Sequence, residues 1–578
     1  MERNKKITGY PSIDKPQYKF YRDTPIRYIN TKQTIYEMIF NTNKNNMNES
    51  AIMYMNKEWS FQKLKETTDK LADAFIKLGL EIGDVVLVGM INSIESVVIL
   101  LALNKIGVVS KWFDVRAGEK DIEDYIHESN CKYIIAIDIL ISKIEKILNH
   151  TNVEKVIIVT PTESLSILTK ILYKAKLMFN GNYYKIPKDK RYISYNDFIS
   201  QGDYNSEVEC VKFDKNRPSI MIQSSGTTGK PKSILHSDFS VTSCVNEIAY
   251  SDIPLGRGKE LLVLLPPWIA YGLGNAILLP MALGTKIILS PEFGPDSIIN
   301  NLGNFTIAFA APFNYRYIKN NYDKLNKGQR DGIKRIECLV SGGDKISAEE
   351  NKEMEEILDV AVINGYGNNE GLGCLTVNPI HNNKYGTVGI PKYGETIIAY
   401  DNDEEKELPY GVSGEICCLA NTMFLCYEGN LEKTNTVKKL HSDGKVWLHT
   451  GDIGYIDEDG YLTLNGRSRR VIVRRAFKIS AYTIEDKICE HPLVKECVAV
   501  EVDDKKEEHV PMAFVVLEAT INDNLNNIER SIYEKCRKEL KEYEIPKYFR
   551  FVEELPYTDN GKYNFRLLEK IGNNFIKN

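Results

Sequence analysis

Ser224-Ser225-Gly226-Thr227-Thr228-Gly229-Lys230-Pro231-Lys232 follows a short apolar run, Ser219 to Ile222, that reads as a buried strand. Gly226 and Gly229 allow positive φ and close approach of the backbone to a ligand. Ser224, Ser225, Thr227 and Thr228 bring hydroxyls, and Lys230 and Lys232 bring charge. That inventory predicts an anion cradle suited to polyphosphate. It is not the Walker loop, which has four residues between its glycines and a Lys-Ser/Thr entering a helix; here two residues separate the glycines and Pro231 follows the lysine.

Outward from the loop, strands alternate with helices, which argues for parallel α/β sheets. Upstream, residues 1 to about 60 read as a wrapping arm, followed by an amphipathic helix (Leu64, Leu71, Phe75) that ends at Gly79. Strands are expected at 85–88, from 108, at 133–137 and at 156–159, with a helix over 93–106. Between Pro161 and Glu209 the alternation is lost. Leu165, Leu168, Ile171 and Leu172 form an apolar stripe beside Lys170, Lys174 and Lys176. That stripe fits either an ordinary surface helix of an inserted loop or a basic amphipathic segment that touches a membrane or an acidic partner. Downstream, strands are expected at 261–265, 286–289, 307–310 and 338–340, with a helix over 275–283. Asn364 to Glu370 is expected to follow a strand at 360–363. From about Gly394 short strands and turns suggest a small β-rich subdomain, and the last hundred residues read as an α+β unit. The expected fold is therefore α/β. A large N-terminal domain (1–467, its β-rich subdomain about 394–465) precedes a smaller, mobile C-terminal α+β domain (468–578).

The 578 residues suffice for more than one domain, and 43% hydrophobic with 26% charged residues is ordinary for a soluble globular chain. A net charge of −5 gives no reason to expect nucleic acid. Eleven scattered cysteines without CxxC, a polar start, and no apolar run longer than Val97 to Leu103 predict reduced thiols, a cytoplasmic location and no transmembrane segment. The eight histidines lack metal-ligand spacing, and none is assigned to zinc.

Four further stretches occur in order with the loop: Asn364-Gly365-Tyr366-Gly367-Asn368-Asn369-Glu370, Thr450-Gly451-Asp452, Gly466-Arg467, and Asp559-Asn560-Gly561-Lys562. From about Trp59 to Leu568 the chain resembles the adenylate-forming superfamily of acyl- and aryl-CoA synthetases, peptide-synthetase adenylation domains and luciferases. The resemblance implies activation of a carboxylate by ATP with pyrophosphate release, then transfer of the acyl group to a thiol. It implies that Ser224 to Lys232 wrap the β- and γ-phosphates. Asn364 would meet the adenine edge, with Tyr366 on one face of the base, next to Gly367, and Gly342-Gly343 on the other. Glu370 would ligate Mg²⁺, a hard cation that prefers oxygen. Asp452, helped by Arg467, would accept the ribose hydroxyls. Lys562 would bridge the carboxylate and α-phosphate oxygens as charge develops.

Ile269 stands where the family commonly has histidine, and Asn369 where it commonly has threonine. The hinge position is Arg469, and Ala476 and Ala481 replace a glycine and a proline. Adenylation is thus better supported than thioester formation. Trp268, Ile269 and Tyr271 are expected to line the acid pocket. The arginines at 467, 469, 470, 474 and 475 are read either as a solvated basic face or as partners of the coenzyme A phosphates. The leading expectation is an acid–thiol ligase that takes a small carboxylic acid, ATP and coenzyme A. The alternatives are a stand-alone adenylation enzyme loading a carrier protein's phosphopantetheine, and a non-catalytic nucleotide-binding homologue.

Overall fold

Strands from residue 50 to residue 377 pair into two large sheets, each mostly parallel and each covered by helices. The structure, a computed structural model, describes residues 7–22, 28–179, 185–204, 207–223, 232–344, 346–467, 470–474, 477–504, 508–518, 524–540, 542–558 and 563–577. The expected phosphate loop from Ser224 to Pro231, Arg469, Arg475, Ala476 and Lys562 lie outside these residues.

Two compact units are present. The larger comprises Gln17–Thr396 and Cys418–Leu448. Its first sheet runs, in spatial order, Cys426–Tyr427, Ser233–Ser237, Pro218–Gln223, Val109–Trp112, Val85–Gly89, Tyr133–Ile137, Lys155–Val159 and Tyr192–Ser194. Pairing is parallel from Pro218–Gln223 to Tyr192–Ser194 and antiparallel at the other edge. Its second sheet has a parallel centre, from Ala361–Asn368 through Cys338–Ser341, Ile307–Ala310, Glu260–Val263 and Lys286–Leu289 to Ser50–Tyr54. Antiparallel strands close both of its edges.

Local signals explain the helices that cover these sheets. Phe61–Leu78 starts where Ser60 Oγ accepts from the Lys63 amide, and ends at Gly79, left-handed at φ 96°. Ile94–Lys105 is apolar almost all round, and every residue in it is buried. The expectation of a wrapping arm over residues 1–60 is corrected from residue 35 onward. Ile35–Thr42 is a helix with five buried residues, and Ser50–Tyr54 and Lys57–Ser60 are strands of the second sheet. Only the first stretch behaves as an arm: the Tyr410 amide donates to the Gly9 carbonyl and the Ser12 amide to Glu407. The helix expected over 275–283 begins earlier, as a π-type segment Tyr271–Leu278 that passes into Leu279–Ala282.

The smaller unit comprises Met1–Pro16, Ile397–Cys417 and His449–Asn578. A sheet whose strands include residues 397–401, 414–417 and 449–456, with Leu462–Arg467 antiparallel to the last, forms its β-rich part. A three-stranded sheet of Val494–Asp504, Glu508–Leu517 and Tyr548–Phe551 forms its α+β part, with helices Ala481–Cys489, Leu525–Glu539 and Phe565–Lys577. The α+β part buries two cores, one around Ile484, Val515 and Ile532 and one around Val500, Phe514 and Leu568.

Candidate active site

Gln223 and Ser233 are paired residues of two adjacent antiparallel strands, so the glycine-rich stretch between them leaves and re-enters the sheet at neighbouring points. The Gln223 side chain reinforces that gate by donating to Ser233 Oγ at 3.2 Å. Lys232, the last residue of the loop motif, holds its ammonium 5.4 Å from the centre of the Tyr427 ring. The Tyr427 hydroxyl in turn donates to Glu370 Oε1 at 2.6 Å. The Glu370 carbonyl accepts from the Phe424 amide at 2.8 Å. Glu370 is thereby fixed at both backbone and side chain, half-buried, beside the cation at the root of the loop. Tyr427 escaped the sequence reading because it lies 57 residues from Glu370 and has no motif around it.

Asn364 to Asn368 do not follow a strand, as expected, but form the second half of one, Ala361–Asn368. The strand continues because Gly365, Tyr366, Gly367 and Asn368 pair with the Gly373–Val377 strand, a partner absent from any local reading. Tyr366 and Asn364 are buried, and the Asn364 carbonyl accepts from the Asn378 amide at 2.8 Å. Gly342 lies against Tyr271: a Cβ there would stand 3.1 Å from the ring. Tyr271 stacks on Phe309 and donates its hydroxyl to the Val340 carbonyl at 3.0 Å. Trp268 is buried edge-on against Phe293, and Ile269 beside it is half-buried.

Asn369 connects these parts. Its Nδ2 donates to the Gln223 carbonyl at 3.1 Å, at the root of the glycine-rich loop. Its Oδ1 accepts from the Ala270 amide at 3.1 Å, at the start of the π-type segment that carries Tyr271. Its own carbonyl lies 2.8 Å from His236 Nε2. The amide that replaces the family's hydroxyl is thus a donor and an acceptor at once, a combination well suited to joining two backbones.

In the smaller unit, Asp452 is buried, and strand register sets it directly opposite Arg467. Its amide donates to Thr450 Oγ1 at 3.1 Å. The arginine cluster departs from both of its expected readings at two positions. Arg470 is engaged inside the fold: it pairs with Glu485 at 2.5 and 3.1 Å, donates to the Ala499 carbonyl, and lies 3.9 Å from the centre of the Phe565 ring. Arg474 donates toward the carbonyls of Tyr543 and Ile545. These two guanidiniums hold the α+β part together, so neither a solvated face nor a phosphate contact describes them. The described residues therefore bring together Lys232, Glu370, Asn364, Tyr366, Asn369, Gly342 and Tyr271 within the larger unit.

Comparison with known proteins gives the same assignment along the chain. The chain is 25% identical over 550 residues to a long-chain-fatty-acid–CoA ligase of Bacillus subtilis (strain 168), covering 92% of this chain and 93% of that protein. It is 26% identical over 510 residues to the 4-coumarate–CoA ligase CCL1 of Humulus lupulus, covering 86% of each. The crystal structure of the anthranilate CoA ligase AuaEII with anthranoyl-AMP has the same fold, at TM-score 0.78 and 21% identity, covering 96% of this chain and all of that one. The model of the AMP-binding enzyme family matches residues 39–428, and that of the AMP-binding enzyme C-terminal domain matches 483–562. With the paired strands that flank the glycine-rich loop and the Ala361–Asn368 strand both inside the first match, the chain belongs to the AMP-binding enzymes, the adenylate-forming superfamily.

Proposed function

We propose that the protein is an ATP-dependent acid–thiol ligase. It activates a carboxylic acid as its adenylate, with release of pyrophosphate, and then passes the acyl group to coenzyme A. One observation carries the reading: Lys232, Tyr427 and Glu370 are joined next to the mouth of the glycine-rich loop. That arrangement suits a polyphosphate that needs both a cation and a carboxylate-held metal. CoA ligases among the relatives support the thiol.

In this reading the loop from Ser224 to Lys232 holds the β- and γ-phosphates, and Asn364 and Tyr366 hold the adenine. Gly342-Gly343 and Gly367 flank the base. Asp452 and Arg467 hold the ribose, and Trp268, Ile269 and Tyr271 line the acid pocket. Glu370 offers a carboxylate already oriented by the Tyr427 hydroxyl, which fits the hard-oxygen preference of Mg²⁺. When bound there, Mg²⁺ would neutralise charge on the phosphates. Lys562 supplies positive charge between the acid's carboxylate and the α-phosphate as the carboxylate oxygen attacks phosphorus and the bond to pyrophosphate breaks. Aligning two anions in this way contributes about 7–11 kcal/mol. The boundary near Arg469 serves as the hinge of a mobile C-terminal domain. A cytoplasmic location accords with eleven free cysteines, and no helix among the described residues is long and apolar enough to cross a membrane.

Carboxylate-dependent exchange of pyrophosphate into ATP, screened over aryl, short, medium and long acids, tests the reading. Lys562→Ala is expected to lower that exchange at least about a hundredfold, the scale for losing one preorganised charge contact. Normal exchange in this variant would overturn the role of Lys562. Free coenzyme A offered against a holo carrier protein identifies the thiol.

A further inference from the structure

Most surface helices turn their apolar stripe inward. Helix Ile167–Phe179 does the reverse. Ile167, Leu168, Ile171, Leu172, Met178 and Phe179 are between 58% and 93% exposed. Their spacing is helical, so they form one continuous stripe along about 20 Å of helix. The opposite, half-buried side carries Thr169, Lys170, Tyr173 and Leu177, and it faces the body of the larger unit. Tyr173 donates to Asp138 at 3.3 Å, and Lys170 pairs with Glu163 at 3.3 Å. Single exposed leucines are ordinary, but a contiguous apolar patch marks a surface that something covers.

Charge identifies what covers it. From Ser164 to Arg191 the chain has seven Lys or Arg and one acidic residue, Asp189, in a protein whose net charge is −5. Asp189 is itself paired with Arg191. Lys174, Lys185, Lys188 and Lys190 are exposed. Lysines beside an outward apolar stripe match a surface that is anionic outside and hydrocarbon beneath, because lysine stems lie along apolar surface while their ammonium groups reach the headgroups. At thirteen residues the helix is too short to span a bilayer, and it suits lying in the interface.

We propose that the Ile167–Phe179 helix is a peripheral anchor that seats the protein on an anionic bilayer. Flotation of the full chain with phosphatidylglycerol/phosphatidylcholine vesicles tests this, with phosphatidylcholine vesicles as the comparison. The chain is expected to float with the anionic vesicles and to be released by salt. The double substitution Ile171→Asp/Leu172→Asp is expected to weaken partitioning about tenfold or more. Because both side chains point to solvent, the far-ultraviolet circular dichroism and melting temperature of that variant should be unchanged. Leu172→Trp is expected to shift its emission to the blue when anionic vesicles are added. Failure of the wild-type chain to bind anionic vesicles, equal binding by the double variant, or no emission shift would each overturn the proposal. Light scattering showing that the double substitution converts a dimer to a monomer would also overturn it, assigning the stripe to a second copy of the chain. None of these readouts depends on acid activation, so loss of the proposed ligase activity would leave the result standing.

Discussion

His236 is a buried imidazole whose Nε2 faces the Asn369 carbonyl at 2.8 Å, with Ser240 Oγ 3.4 Å from Nδ1. Burial lowers its pKa to about 4, because a charged ring in that position would lose its water. The neutral ring donates from Nε2 and keeps the Asn369 carbonyl satisfied. The folded state therefore binds fewer protons than the unfolded chain between pH about 6.5 and about 4. Its contribution to stability is complete above that window, falls as the pH drops through it, and is constant below it. The loss amounts to about 3 kcal/mol. His236→Gln keeps an amide donor but cannot titrate. Denaturant unfolding of the two proteins between pH 7 and pH 4 should show the wild-type chain losing that much more stability than the variant; parallel curves would refute the assignment. In the sequence His236 was one histidine among eight, with nothing to set it apart. Its role depends on Asn369, which lies 133 residues away.

At the scale of elements, the hairpin of Ala361–Asn368 and Gly373–Val377 shows what local reading catches and what it misses. The motif was legible as a cluster of glycines and amides, but its continuation as a strand was not. Gly, Asn and Tyr in succession give no consistent strand preference, and the pairing partner decides the outcome. The glycines are required by that pairing: a Cβ on Gly367 would stand 1.4 Å from the Gly373 carbonyl oxygen. Gly367→Ala should force the two strands apart, cost about 3 kcal/mol or more, and abolish nucleotide binding. Thermal unfolding and ATP titration measure both effects, and a variant of unchanged melting temperature would show that the hairpin has slack. Parallel strands such as Tyr133–Ile137 and Lys286–Leu289 were legible because they are short apolar runs buried in the sheet, whereas the parallel strands Ser50–Tyr54 and Tyr192–Ser194 were not. The C-terminal helix Phe565–Lys577 has no counterpart in the sequence reading, although Phe565, Leu568, Ile571 and Ile576 pack on one core. The arginine cluster was legible as charge but not as structure, because Glu485 and Phe565, which engage Arg470, lie 15 and 95 positions further along the chain.

For the molecule as a whole, motif order was enough to reveal the superfamily, since the five motifs are spread over more than three hundred residues in one sequence. Choice of acid was not legible, because no motif carries it; in the proposed function it would follow from the volume around Trp268 and Tyr271. Nor was the division of the chain into two units, in which Ile397–Cys417 and His449–Asn578 are grouped with the first residues. That grouping joins segments about four hundred positions apart, through bonds such as Tyr410 to Gly9. The Asn369 side chain has a further consequence. One carboxamide ties the peptide at the root of the glycine-rich loop to the peptide that begins the Tyr271–Leu278 segment, so ordering either end restrains the other. The two substrates of the proposed reaction are then thermodynamically linked. Whatever factor the acid adds to the affinity for ATP, ATP adds to the affinity for the acid. Asn369→Ala should bring that factor toward unity while leaving each substrate's separate binding nearly intact, as read by ATP titrations with and without saturating acid. An unchanged factor would show that the two ends of the site are independent. Under the proposed function Asn369, the residue that departs from the family pattern, would be a means of reciprocity, with neither substrate held at full strength until its partner is bound.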